Sequence, residues 1–218
     1  MNYSIVIPAY NEEDNLEKVL EDCLGAFGLE AEIIVVNDAS TDKTHDIIQN
    51  SFTGVNIKEI TNAENLGHAK SLLKGLMAAT KEKILYIDAD GQIKPDAMDF
   101  NFISGYRVHR QDKFFRKVVS FILKMIIWIR HGYYIRDANC PFKIIDKRDL
   151  YYLLSHLPND CVVPTICLSI LARRLKFRVC EVPVEHFPLA KPRKGFLQSL
   201  NKKSLSMFYK AFKEVWNI

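Results

Sequence analysis

The feature that most limits what this chain can fold into is the alternation of its first ninety or so residues. Short β-rich runs (Ser4–Ile7, Glu32–Val36, Val55–Ile60, Lys83–Ile87) alternate with segments of helical period (Asn11–Leu24, Ser40–Gln49, Ala69–Thr80). Leu16, Val19, Leu20 and Cys23 share one face of the first helix; Leu72, Leu73, Leu76 and Ala79 share one face of the third. Ser40 or Thr41 is expected to cap the second. This alternation predicts an α/β fold with a doubly wound, mainly parallel sheet flanked by helices on both faces. Ligands of such sheets bind beyond the carboxyl ends of the strands. The polar clusters fall there: Pro8–Glu12, Asn37-Asp38, Asn65–Gly67 and Asp88–Gln92.

The second half is less regular. Ser104–His109 is strand-like, Lys113–Ile129 helical, Phe142–Ile145 a strand, and Lys147–Leu157 and Pro164–Arg174 helices. Phe177–Val184 is a strand whose Pro183 points to a sheet edge. Gly195–Trp216 is an amphipathic helix or helix pair. In the helix from Lys113, the residues Phe115, Val118, Val119, Ile122, Ile126 and Ile129 form an apolar stripe, and Lys113, Arg116, Lys117, Ser120 and Lys124 a polar, largely basic one. Either the apolar stripe packs on the core or it meets lipid. A length of 218 residues fits one domain. At 48% hydrophobic residues a disordered chain is excluded. The stretch Val118–Ile129, broken by Ser120 and Lys124, is shorter than the roughly 20 residues that span a bilayer. The N-terminus opens on a strand pattern, not a leader. Five scattered cysteines suggest neither a disulfide framework nor a zinc site, and fit a reducing, cytoplasmic setting.

Charge is split along the chain. Residues 1–100 hold 8 Lys+Arg and 18 Asp+Glu, residues 101–218 hold 22 and 8, so halves of −10 and +14 make the net +4. An acidic half suits cations; a basic half suits phosphates or an anionic membrane surface, unless the two faces serve solubility alone. Asp88-Ala89-Asp90, after a buried strand, places two carboxylates where both reach one hard cation, Mg²⁺ or Mn²⁺, with Gln92 adding an amide oxygen or orienting a water. Asp38 either accepts hydrogen bonds from a nucleoside or satisfies backbone N–H groups in a turn. Glu12 and Tyr10 have structural readings too: a helix-start glutamate and a packed aromatic. The six histidines show no ligand spacing and are expected to be structural or at the surface.

Four segments in order resemble family 2 glycosyltransferases: 5–13 (IVIPAYNEE), 34–42 (IVVNDASTD), Asn65-Leu66-Gly67 with Ala69 and Gly75, and Asp88-Ala89-Asp90-Gly91-Gln92. The resemblance covers roughly the first hundred residues. It implies a GT-A fold and a metal-dependent transferase using a nucleotide-sugar donor, UDP- or GDP-linked. It also implies that Pro8, Tyr10, Glu12 and Asp38 hold the nucleoside, and that Asp88, Ala89, Asp90 and Gln92 hold diphosphate and metal. The family more often has a second aspartate where this chain has Asn37. The second half is similar to the dolichyl- and polyprenyl-phosphate branch, through Ser104-Gly105-Tyr106-Arg107 with Arg110, Asp112, Arg116 and Ser120, and through residues 137–143 (DANCPFK). There the resemblance implies a polyprenyl-phosphate acceptor held by Arg107, Arg116 and Ser120, with Asp137 as a base or as the partner that orients an arginine. His186 is a candidate to approach the diphosphate.

These expectations make one domain over 1–218: a nucleotide-sugar and metal half (1–100), an acceptor half (101–190) and an amphipathic basic segment (191–218). Transfer is expected to invert the anomeric carbon, at the cytoplasmic face of a membrane to which the chain binds peripherally. The branch often carries C-terminal transmembrane helices, which a membrane-protein partner would have to supply here; no nucleic-acid partner is expected. The segment from Pro95 to Ser104 is short for the branch. Rival readings are a transferase acting on a saccharide or protein hydroxyl, a nucleotidyltransferase (though no glycine-rich phosphate loop is present), and a non-catalytic membrane-associated scaffold.

Overall fold

The structure is a computed structural model that describes residues 2–52, 54–91, 102–109, 114–187 and 202–218; the side chains of 114–116, 202–205, 207 and 208 fall outside it. Seven strands form one sheet: β1 (Tyr3–Ala9), β2 (Glu32–Asn37), β3 (Ile57–Thr61), β4 (Lys83–Tyr86), β5 (Phe102–Val108), β6 (Lys143–Asp146) and β7 (Cys180–Glu185). Their order is β3-β2-β1-β4-β6-β5-β7. β1 pairs in parallel with β2 and β4, β2 with β3, and β5 with β7, while β6 is antiparallel to both β4 and β5. So β6 alone opposes the rest, and the carboxyl ends of the other six share one edge of the sheet. The loop entering β6 reaches that same edge.

Every residue of β1 and β2 is buried, as a parallel sheet covered on both faces requires. The pleat sends Ile5, Ile7, Ile33 and Val35 into one core, with α1 (Leu16–Phe27) and α2 (Thr44–Asn50). Val6, Ile34 and Val36 enter the other, with α3 (His68–Ala78), α4 (Phe114–His131), α5 (Lys147–Leu154), α6 (Pro164–Arg174) and α7 (Lys202–Asn217). α1 buries Leu16, Val19, Leu20 and Cys23, the face its spacing predicts. β7 closes one side of the sheet, and Pro183, which cannot donate to a ladder, sits on it.

Three expectations differ. α1 begins at Leu16 rather than Asn11, and α2 at Thr44 rather than near Ser40; neither Ser40 nor Thr41 caps it. The polar residues before each helix bond across to each other instead. Ser40 Oγ accepts from Asn11 N–H, Asn11 Oδ1 from Thr41 N–H, Asp42 from Glu13 N–H, and Glu13 from Lys43 N–H. The strand at Phe177 begins only at Cys180. On α4 Ile127 is buried, with Leu123 and Ile126 partly buried beside it; Ile126 belongs to the expected stripe, whereas Ile122 and Ile129 of that stripe are exposed, with Phe121 and Trp128. Apolar residues ring this helix, so spacing admits two faces, and packing on α6 and α7 selects one. The side chain of Phe115 and the segment 92–101 lie outside the described residues. No helix among the described residues is long and apolar enough to cross a membrane.

Candidate active site

A cleft of about 270 Å³ opens beyond the carboxyl ends of β1, β2 and β4. Pro8, Ala9, Tyr10 and Glu12 line it from β1, Asp38 from β2, Asn65, Gly67, His68 and Ser71 from the start of α3, and Asp88, Ala89 and Asp90 from the end of β4. The first-half site residues expected from sequence therefore converge there. Gln92 lies outside the described residues.

The loops after β1 and β2 are locked by the cross-bonds described above. Asn11 and Ala39 adopt positive φ to make them (54° and 58°). Asp38 is buried and fully used: Oδ1 accepts from Asn62 Nδ2 (2.8 Å) and Leu66 N–H (2.8 Å), and Oδ2 from Gly67 N–H (2.8 Å). Burial opposes its charge, yet the hydrogen bonds from Asn62, Leu66 and Gly67 hold its carboxyl below the ordinary range. Asp38 thus builds the turn that aims α3 at the cleft, whatever it also does for a ligand. Lys74 Nζ donates to Asn62 Oδ1 (2.7 Å) behind it. Glu12 is buried and accepts from Asn15 Nδ2 (3.0 Å), and its amide donates to Thr44 Oγ1 (2.9 Å). Tyr10 is exposed at the mouth.

Asp88 and Asp90 stand on the turn after β4, closed by Gly91 at φ 67°. Both are part-buried, whereas Ala89 between them is buried. His68 Nε2 meets Asp88 Oδ1 at 2.9 Å. His68 is about half exposed; partial desolvation opposes its protonation, but the hydrogen bond to Asp88 and the charges of Asp88, Asp90 and Asp38 raise its pKa. Sequence reasoning missed His68 as a site residue. Its place next to Asn65-Leu66-Gly67 was a signal, but which way the ring points depends on the Gly67 turn. The departure at Asn37 is also explained: its amide donates to Glu59 Oε1 (2.8 Å) and its Oδ1 accepts from Ser40 N–H (2.9 Å). An aspartate there would face the Glu59 carboxylate.

The second group lies on the same sheet edge. Arg107, near the end of β5, forms a two-pronged pair with Asp137: Nε to Oδ2 at 2.7 Å and NH2 to Oδ1 at 3.0 Å. Both side chains are about nine-tenths buried. Lys143, fully buried at the start of β6, donates to the carbonyls of Cys140 (2.7 Å) and Ala138 (3.3 Å), holding the loop that presents Asp137. Ser120 is half-buried on α4; Arg116 lies a turn earlier with its side chain outside the described residues, as are Arg110 and Asp112. His186 is buried directly after β7, at this same edge.

Residues 4–99 match the family described as Glycosyl transferase family 2. The chain is 29% identical over 215 residues to a dolichyl-phosphate beta-glucosyltransferase of Trichomonas vaginalis, covering 84% of this chain and 64% of that one. It is 27% identical over 199 residues to an undecaprenyl-phosphate 4-deoxy-4-formamido-L-arabinose transferase of Pectobacterium carotovorum, covering 85% and 59%. The chain thus spans about two thirds or less of these relatives. Among solved structures, it resembles glucosyl-3-phosphoglycerate synthase of Mycobacterium tuberculosis with Mn²⁺, UDP and phosphoglyceric acid (TM-score 0.68, 15% identity, 96% of this chain, 78% of that). It also resembles a mannosyltransferase of Pyrobaculum calidifontis with GDP-mannose and Mn²⁺ (0.63, 18%, 97%, 64%). These likenesses show the fold, GT-A.

Proposed function

We propose that this chain, which carries a family 2 glycosyl transferase domain over residues 4–99, moves a sugar from a nucleoside-diphosphate sugar to a polyprenyl phosphate, with inversion at the anomeric carbon. The observation that carries this reading is the cleft itself: two carboxylates, Asp88 and Asp90, and the start of α3 converge at the carboxyl edge of a parallel sheet. The named relatives transfer sugars to lipid phosphates, and two structural neighbours were solved with Mn²⁺.

The residues fit a hard divalent ion. Asp88 and Asp90 offer oxygen donors on one turn, each still reached by solvent, and are the residues that would hold it. Such an ion, Mg²⁺ or Mn²⁺, supplies charge to offset the leaving diphosphate. Pro8, Tyr10 and Glu12 form the wall for the nucleoside. Asp38 shapes the Leu66-Gly67 turn, so the N-terminus of α3 faces the diphosphate. Gln92 completes the diphosphate set.

On the acceptor side, Asp137 fixes the plane of the Arg107 guanidinium at the shared edge, and Arg116 and Ser120, a turn apart in the sequence of α4, are the further residues assigned to the phosphate. An acceptor hydroxyl needs a base to take its proton, whereas a phosphate is already anionic. Asp137, the candidate base, is bound on both oxygens to Arg107. That commitment favours a phosphate over a saccharide or protein hydroxyl. The exposed apolar residues of α4, beside Arg130 and Trp216, form a surface that rests peripherally on a membrane.

The test is release of nucleoside diphosphate from UDP- and GDP-sugars with Mg²⁺, Mn²⁺ or EDTA, with and without a short polyprenyl phosphate. Metal-dependent release stimulated by the lipid is expected, and Asp88→Asn should lower it by about 10²-fold or more. Release indifferent to lipid would redirect the acceptor to sugars or proteins; no release with any donor would favour a scaffold.

A further inference from the structure

Outside the residues that line the cleft, where α6 meets α7, three metal-binding groups come together. Cys161 sits in the loop before α6, Cys167 in its first turn, and Glu214 near the end of α7. Glu214 Oε1 lies 2.6 Å from Cys161 Sγ and 3.2 Å from Cys167 Sγ, while Oε2 accepts from Val162 N–H at 2.9 Å. The donor atoms of all three lie within 4.8 Å of one another, the sole such group among the described residues. Both cysteines are buried and Glu214 is part-buried.

We propose that Cys161, Cys167 and Glu214 form a zinc site that fastens α7 to α6, separate from the ion at Asp88 and Asp90. Zn²⁺ bonds of about 2.3 Å to sulfur and 2.0–2.2 Å to oxygen put tetrahedral donors roughly 3.5–3.8 Å apart. Spreading the present cluster by about an ångström reaches that geometry. As the side chains stand, both thiols donate to Glu214 Oε1. Binding one Zn²⁺ releases the two thiol protons to solvent; no electron moves. Two thiolates with one carboxylate select Zn²⁺ over Mg²⁺ or Ca²⁺, which take oxygen donors. A water fills the fourth position. The spacing Cys161-x5-Cys167 is not a recognised zinc pattern, and the third ligand lies 47 residues on from Cys167, so sequence alone suggested no zinc site.

The experiment is Co²⁺ titration of the reduced, chelator-stripped full chain, read by its absorption spectrum. One equivalent should give a thiolate-to-cobalt charge-transfer band that Zn²⁺ abolishes. Cobalt at the carboxylates of Asp88 and Asp90 gives no such band, so Asp88→Asn should leave it unchanged. Cys167→Ser and Glu214→Gln should each weaken binding by roughly tenfold or more. Zn²⁺ should raise the melting temperature of the wild type but not of Cys167→Ser; if that variant fails to fold, Cys161→Ser and Glu214→Gln give the same reading. Absence of the band in the wild type, or a band indifferent to all three ligand substitutions, overturns the site.

Discussion

Single residues here are held by unlike neighbours. Asn37 stands where the family resemblance leads to the expectation of an acid, and Glu59 is its partner, accepting also from His45 and Gln49. Asn37→Asp should therefore cost about 1–3 kcal/mol in urea unfolding, by leaving carboxylates face to face. Glu59→Gln in the same chain should recover most of that loss. If Asn37→Asp alone is neutral, the account of this departure is wrong. Lys143 makes a pH prediction. Burial pushes its pKa from 10.5 down to about 8. Between those two values the unfolded chain binds more protons than the folded one, so this residue adds stability as pH rises through the window. The buried thiols of Cys23 and Cys140, pushed up by burial, pull the other way. The comparison is thus with Lys143→Met: the wild type should gain on the variant as pH climbs from 8 to 10.5, read as the difference in denaturation midpoints.

Among the elements, α3 packs tightly on the sheet at Gly75. A Cβ on Gly75 would come within 2.4 Å of Val6 Cγ1 and 2.9 Å of Val36 Cγ2. Gly75→Ala is therefore expected to destabilise by about 1–3 kcal/mol, outweighing the gain of up to about 1 kcal/mol in helix propensity. A raised melting temperature would refute that packing argument. On α4, Trp128 and Ile129 are 54% and 68% exposed. Replacing both by Glu should weaken sedimentation with anionic vesicles several-fold while leaving the melting temperature within a few degrees. Strand–helix alternation was legible because period 2 and period 3.6 are local properties of the chain. The acidic turn after β4 was legible for the same reason. Helix starts were not: Asn11, Ser40 and Asp42 resemble local caps but spend their hydrogen bonds on a loop some thirty residues away. Nor was the inward face of α4, which depends on α6 and α7. The Arg107–Asp137 pair was foreseen only as one of two roles for Asp137, because a partner thirty residues distant leaves no spacing signal.

At the scale of the molecule, one antiparallel strand brings both halves to a common edge. Arg107, the Asp137 loop and His186 come to lie on the side where Asp88 and Asp90 end β4, because β6 runs against β4 and β5. Asp88 and Asp90 of the first half and Arg107 of the second thus share one edge. The same strand has a consequence for birth on the ribosome. β4 ends at Tyr86, and its outer neighbour β6 begins only at Lys143. While that stretch is being translated, β4 is a bare strand edge carrying Ile84 and Leu85, both wholly buried in the finished protein. A nascent chain stalled in this interval should recruit holdase chaperones, and one released after residue 146 should not, since only then does the edge find its partner.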